Sequence, residues 1–196
     1  FEDLFNQLEN RNEFQINLSK IKIERVEDKN SSSNNNTQRT SKNSSKKTRK
    51  QIEELGFFGE WLVYKHLLNS IKNNDSVKWV SEYAKLAGVN SDGRDGLGYD
   101  LEYIPNDGKH SRYIEVKVVG WENAFHISST EVLQGEKLKK HYEIFLVRNI
   151  TDSSNVSIEV IRGPFDYSRQ KSFNDNELFS VINDNYILKF QKANES

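Results

Sequence analysis

Two hydrophobic periods take turns along the chain from residue 51 onward. QIEELGFFGEWLVYKHLLNSI places Gly56, Glu60, Val63, Tyr64, Leu67 and Ile71 at spacings of three and four, which predicts a long helix with one apolar stripe. VKWVSEY then reads as a strand, GYDLEYI and RYIEVKVV as a strand pair, and NAFHI as a short strand. The period returns to helical from about Ser129 to Lys140, with Ser128, Ser129 or Thr130 as the capping residue. YEIFLVRN, VSIEVIRG and YILKF follow as strands. Helix, strands, helix and more strands predict an α/β or α+β core built on a mixed sheet.

Upstream the pattern changes twice. FEDLFNQLEN has Phe1, Leu4, Phe5 and Leu8 at helical spacing, and FQINLSKIKIERV alternates as one or two strands would. Residues 1–26 are expected to be an arm packed on the main domain or the end of a preceding one. From Lys29 to Lys50 no apolar residue occurs, so the segment cannot bury enough surface to offset the entropy of ordering. Residues 27–50 read as a flexible linker, and the main domain as residues 51–196. The linker's second half carries Lys46, Lys47, Arg49 and Lys50 with no acid among them, a composition that attracts nucleic-acid phosphates or serves as a localisation signal. The alternative is a solvated spacer without a partner.

Composition narrows the chemistry. The 196 residues contain no cysteine, which excludes disulfides, thiolate zinc sites and a cysteine nucleophile, so any metal must be held by oxygen or histidine. The apolar runs fall far short of the roughly 20 residues that cross a bilayer, and no signal-type start is visible, so a soluble intracellular protein is expected. A first residue of Phe1 and the absence of methionine suggest a piece of a longer polypeptide. The net charge of -1 rules out a generic polyanion binder and directs attention to where charge is placed.

The chemistry concentrates on RYIEVKVV. In a strand Glu115 and Lys117 share one face, while Ile114, Val116 and Val118 share the other. Asn106-Asp107-Gly108 is a strong turn signal, and a hairpin centred between Asp107 and Gly108 sets Asp100 opposite Glu115. A slip of one residue would mix polar and apolar faces, so the pattern favours this register. Two carboxylates facing each other repel unless a cation lies between them, and Mg²⁺ prefers such oxygen ligands. Lys117 could orient a water or stabilise charge developing on phosphorus; a plain surface ion bridge is the blander reading. Gly96 and Gly98 permit close backbone approach before Asp100. Glu60 falls on the apolar stripe of the first helix and needs a partner, either a core cation or the metal site and its waters. His126 could ligate a metal, although a lone strand histidine is usually structural, and His66, His110 and His141 show no zinc-like pairing. Trp79, Trp121 and Tyr113 could stack on bases, although Trp79 within VKWV reads as core, and no phosphate-cradling glycine loop is present.

Taken together, the Gly-Glu of the first helix, GYD, IEVK, ISSTE and YEIFLVRN resemble the DUF3883 domain, also called the NO VEIN C-terminal domain, of the PD-(D/E)xK nuclease superfamily. The resemblance runs from about Gly56 to Asn149, with Tyr99 where the superfamily has proline. It implies a restriction-endonuclease-like core, a central mixed sheet flanked by helices. It further implies that Asp100, Glu115 and Lys117 are the catalytic acid, acid and lysine, with Glu60 as the accompanying helical glutamate. Mg²⁺ or Mn²⁺ would then be held by Asp100, Glu115 and the carbonyl of Val116, with Glu60 on a second cation or its water. Glu131, in ISSTE, matches a further polar position without an assigned role. The expected activity is metal-dependent endonucleolytic hydrolysis of DNA, as the nuclease part of a larger phage-defence or DNA-processing protein that includes a helicase or ATPase. The alternative is an inactive module of the same fold for nucleic-acid binding or protein docking.

Overall fold

The computed structural model describes residues 22–25, 48–120, 124–152, 155–166, 179–181 and 187–190. Phe1 to Leu8, Lys46, Lys47 and Trp121 lie outside the described residues.

Strand β1 (Lys22–Arg25) is followed by helix α1 (Arg49–Ser70), β2 (Lys78–Trp79), α2 (Glu82–Leu86), β3 (Leu101–Tyr103), β4 (Arg112–Val119), β5 (Ala124–His126) and α3 (Ser129–Leu138). Next come β6 (Tyr142–Arg148), β7 (Ser157–Arg162), β8 (Phe179–Val181) and β9 (Ile187–Phe190). The main sheet has the order β1-β7-β6-β4-β3-β2, and a smaller one the order β5-β9-β8. Only the β4–β6 and β1–β7 pairs are parallel in the main sheet, which makes it a mixed sheet in a mixed α/β fold. Lys22–Arg25 adds a parallel edge strand to the main sheet beside β7.

Both faces of the main sheet are covered. Phe57, Phe58, Leu62, Val63 and Leu67 of α1 pack on Leu101, Tyr103, Ile114, Val116, Phe145 and Val147. Val132 of α3 belongs to the opposite cluster with Val119, Ile144, Leu146, Ile161 and Phe165. Alternate residues of β4 and β6 thereby serve two cores, as period two requires. Gly59 lets α1 approach β4 closely: a Cβ there would stand 2.5 Å from Val118 Cγ2. Gly135 does the same for α3, where a Cβ would stand 2.1 Å from the Phe165 ring.

Three boundaries differ from the sequence expectation. Helix α1 starts at Arg49, so Arg49 and Lys50 leave the expected linker and form its first turn, paired at i,i+4 with Glu53 (2.9 Å) and Glu54 (3.7 Å). Thr48 caps that turn: the Gln51 N–H donates to its Oγ1, and its own N–H donates to Gln51 Oε1. The strand expected over VKWVSEY stops at Trp79, because the Val80 and Ser81 amides donate to the Asp100 carbonyl and Ser81 starts α2. Helix α3 ends at Leu138, and Lys139–His141 tightens into a 3₁₀ turn. No helix among the described residues is long and apolar enough to cross a membrane.

Candidate functional site

The β3–β4 hairpin pairs Leu101 with Ile114, Glu102 with Tyr113 and Tyr103 with Arg112, the register expected from the turn. Asp100 immediately precedes this pairing, within electrostatic range of Glu115. The Asp100 N–H donates to the Ile114 carbonyl (2.8 Å), and the Val116 N–H donates to Asp100 Oδ2 (2.8 Å), so the Asp100 side chain is fixed onto the backbone of β4. The approach to Asp100 depends on Gly98, which has φ +77° and whose carbonyl accepts from the Tyr142 hydroxyl (2.9 Å). A Cβ at Gly98 would lie 2.9 Å from the Thr130 carbonyl oxygen, so this glycine serves both the turn and close contact with α3. Gly96 also has positive φ, but open space surrounds it.

Glu115 is buried, and Lys117 follows it on the same face. Lys117 Nζ lies 2.6 Å from Glu115 Oε1 and 2.9 Å from Glu131 Oε2. Glu131 reaches it from the first turn of α3. Its Oε2 also accepts the Ser128 N–H (3.0 Å), while the Glu131 N–H donates to Ser128 Oγ (3.2 Å), a complete capping box. The helix start therefore orients the carboxylate that holds Lys117. The sequence singled out Glu131 without a role; the S-x-x-E capping signature was the available signal.

Electrostatics tighten the arrangement. Burial raises the Asp100 carboxyl well above its usual value, with Glu60 the next contributor, opposed by Lys117 and the Val116 amide. Burial likewise raises Glu115, reinforced by Asp100 and countered by Lys117. Burial alone would lower Lys117, but Glu115, Glu131 and Asp100 together raise it, so it stays charged. Glu131 moves the other way: burial would raise it, and Lys117 with the Ser128 hydrogen bonds brings it below the usual range. Three carboxylates thus lean on one lysine.

Glu60 comes from α1, the helix on the other face of the sheet from Glu131. Its Oε2 accepts from Trp79 Nε1 (2.7 Å) and from Ser81 Oγ, and Trp79 Nε1 also lies 3.0 Å from Ser81 Oγ. Burial pushes its pKa up to about 8 against these two hydrogen bonds, with Glu115 and Asp95 adding repulsion. Its partners are therefore an indole and a hydroxyl, with Asp100 and Glu115 in electrostatic range. Among the described residues no three His, Asp or Glu side chains converge tightly enough to hold a metal ion between them.

Of the remaining candidates, Trp79 is core, packed on Phe57 and Tyr64. His66 contacts Ser70 one helical turn away, and His126 is exposed on β5. His110 and His141 are neighbours in space although distant in sequence, with ring centroids 5.1 Å apart.

No curated protein and no solved structure matches the chain significantly. The family model described as Protein NO VEIN, C-terminal, matches residues 59–160, a span that runs from α1 through β7 and contains Glu60, Asp100, Glu115, Lys117 and Glu131. The chain belongs to the NO VEIN C-terminal family.

Proposed function

We propose that this chain is a metal-dependent DNA endonuclease with a restriction-endonuclease-like core of the PD-(D/E)xK type, hydrolysing phosphodiester bonds as the nuclease part of a larger defence or DNA-processing protein with a helicase or ATPase partner. One observation carries the reading. Two desolvated carboxylates, Asp100 just before β3 and bonded to the Val116 N–H, and Glu115 on β4, lie within electrostatic range of each other, and Lys117 is clamped beside Glu115 by a third from α3.

The donor set fits a hard divalent cation. Asp100 and Glu115 repel each other in a desolvated place, Lys117 is shared with Glu131, and all the available donors are oxygens. Asp100, Glu115 and the Val116 carbonyl would hold Mg²⁺ or Mn²⁺. Such a cation, when bound, polarises a phosphate and lowers the pKa of an attacking water. Lys117, held between two carboxylates that keep it charged, would have one N–H left to orient the water or to stabilise charge growing on the phosphoryl oxygens. Glu131 sets the direction of that ammonium through the α3 cap. Glu60, held by Trp79 and Ser81, adds negative potential at Asp100.

A second reading has its own support: the lack, among the described residues, of a three-ligand acidic cluster favours an inactive module of the same fold that binds nucleic acid or docks protein. Incubating the chain with plasmid and with single-stranded DNA, in Mg²⁺, Mn²⁺ or chelator, separates the two. Cation-dependent cutting that Asp100→Ala abolishes supports the enzyme. Cutting that is unchanged in a folded Asp100→Ala protein removes this site from consideration, and binding without any cutting favours the module.

A further inference from the structure

At the end of the sheet where the parallel strands β4 and β6 begin, basic side chains from two distant segments meet. The β3–β4 turn supplies Lys109 and His110, and the 3₁₀ turn after α3 supplies Lys139, Lys140 and His141. The His110 and His141 rings pack nearly edge to face. Arg112 ties the two segments together, its Nη1 donating to the Lys140 carbonyl (2.6 Å). Acids balance this corner only in part: Asp166 lies beside the turn, since a Cβ on Gly163 would stand 3.2 Å from Lys140 Cα and 3.5 Å from Asp166 Cβ. Arg112 and Arg162 share one buried carboxylate, Glu143, at 4.0 and 3.0 Å. Asp107 accepts the Lys109 backbone N–H. Lys109, Lys139 and Lys140 are exposed and have no ion pair among the described residues. His141 senses the resulting field: burial lowers its pKa first, and Arg112, His110 and Lys140 lower it further. Lys139 holds φ at +51°, a conformation that L residues rarely adopt, so the turn presents these lysines against local backbone preference.

We propose that this corner docks the phosphate backbone of a nucleic-acid duplex. Unpaired lysines on a surface attract closely spaced phosphates and release their counterions. Arg112 precedes Glu115 by three residues on the same strand, about 10 Å at 3.3 Å per residue, which is about three base steps along a duplex. A backbone seated here runs toward Lys117. A duplex suits the corner better than a single strand, because single-strand sites stack bases on aromatic platforms. No Phe, Tyr or Trp is among the large exposed hydrophobic residues described.

The proposal rests on the nucleic-acid reading of the site, but its test needs no cleavage. Binding of the 196-residue chain to a fluorescent duplex is measured in chelator across a salt series, for the wild type, for the combined variant Lys109→Gln, Lys139→Gln, Lys140→Gln, and for a control, Lys85→Gln, at an exposed position on α2. The triple variant should lower the log-log salt slope by about 2.7 units, at about 0.9 per lost phosphate contact, and the control should leave it unchanged. An equal loss per charge in the control, or no loss in the triple variant, overturns the proposal. Tighter binding of a single strand than of the duplex overturns the duplex assignment. Loss of binding to anionic vesicles with DNA affinity intact would assign the corner to a membrane instead. Failure of the nuclease reading would show separately, as intact duplex in Mg²⁺ despite normal binding.

Discussion

Lys117→Met tests the architecture of the site and its chemistry at once. The substitution keeps an unbranched apolar stem and removes the cation that lies 2.6 Å from Glu115 and 2.9 Å from Glu131. Side-chain exposures are 16% for Lys117, 6% for Glu115 and 19% for Glu131, so the broken pairs are largely but not wholly desolvated. Breaking a fully buried pair by removing one partner costs about 3–5 kcal/mol; the residual exposure here puts the loss near the bottom of that range, about 3 kcal/mol. For a domain of this size that corresponds to a fall in Tm of about 6–12 °C. Melts in chelator measure it. The deficit should shrink in Mg²⁺, because a cation at Asp100 and Glu115 neutralises the same charge, and binding to the folded state at 100 times its Kd adds about 2.7 kcal/mol. Adding Glu131→Gln removes one of the stranded carboxylates, so the double variant should regain at least about 1 kcal/mol over Lys117→Met alone. Cleavage should fall by about 10²–10³-fold and stay low in Mg²⁺, since charge stabilisation in the transition state is not restored with the fold. A Lys117→Met protein as stable as wild type in chelator would refute the picture of one lysine restraining three acids.

Other substitutions probe single links. Asp100→Asn keeps an acceptor for the Val116 N–H and should stay folded while losing divalent-cation binding, read by calorimetry, together with cleavage. Gly135→Ala drives a Cβ to 2.1 Å from Phe165 and should cost about 1–3 kcal/mol or more in urea unfolding; an unchanged midpoint would mean that the Phe165 ring and α3 can move apart. Ser128→Ala removes the α3 cap at about 1 kcal/mol and should also reduce turnover, because the same capping box orients Glu131. Glu60 has a folded pKa of about 8 against an ordinary 4.5, so the folded state binds its proton more tightly than the unfolded chain does. Stability from this group is therefore full below about pH 4.5 and declines as pH rises through about 8. Glu60→Gln should flatten that slope in pH-dependent melts, and an unaltered slope would assign the dependence to another group.

The hydrophobic pattern by itself determined most of the scaffold. Period two along RYIEVKVV separated Glu115 and Lys117 from Ile114 and Val116, and the Asn-Asp-Gly turn set the register that brings Asp100 to Glu115. These are short-range rules, in which side-chain alternation and turn chemistry act within a few residues and a one-residue slip would expose a whole core face. Helix α1 was legible for the same reason, though its start was not: Arg49 and Lys50 carry linker-like composition, and the Thr48 capping box overrides it. Tertiary structure decided the rest. Glu131 meets Lys117 only because α3 packs on the face of the sheet that Lys117 occupies, against β6, a relation that no periodicity encodes. Glu60 ended against Trp79 and Ser81 because the β2–α2 junction fills the space beside α1, where a strand through Tyr83 had been expected. The His110, Lys140 and His141 corner exists because parallel pairing of β4 and β6 aligns the starts of two strands about thirty residues apart. Such pairings depend on the packing of the whole sheet, and a local pattern can name their members without saying which will touch.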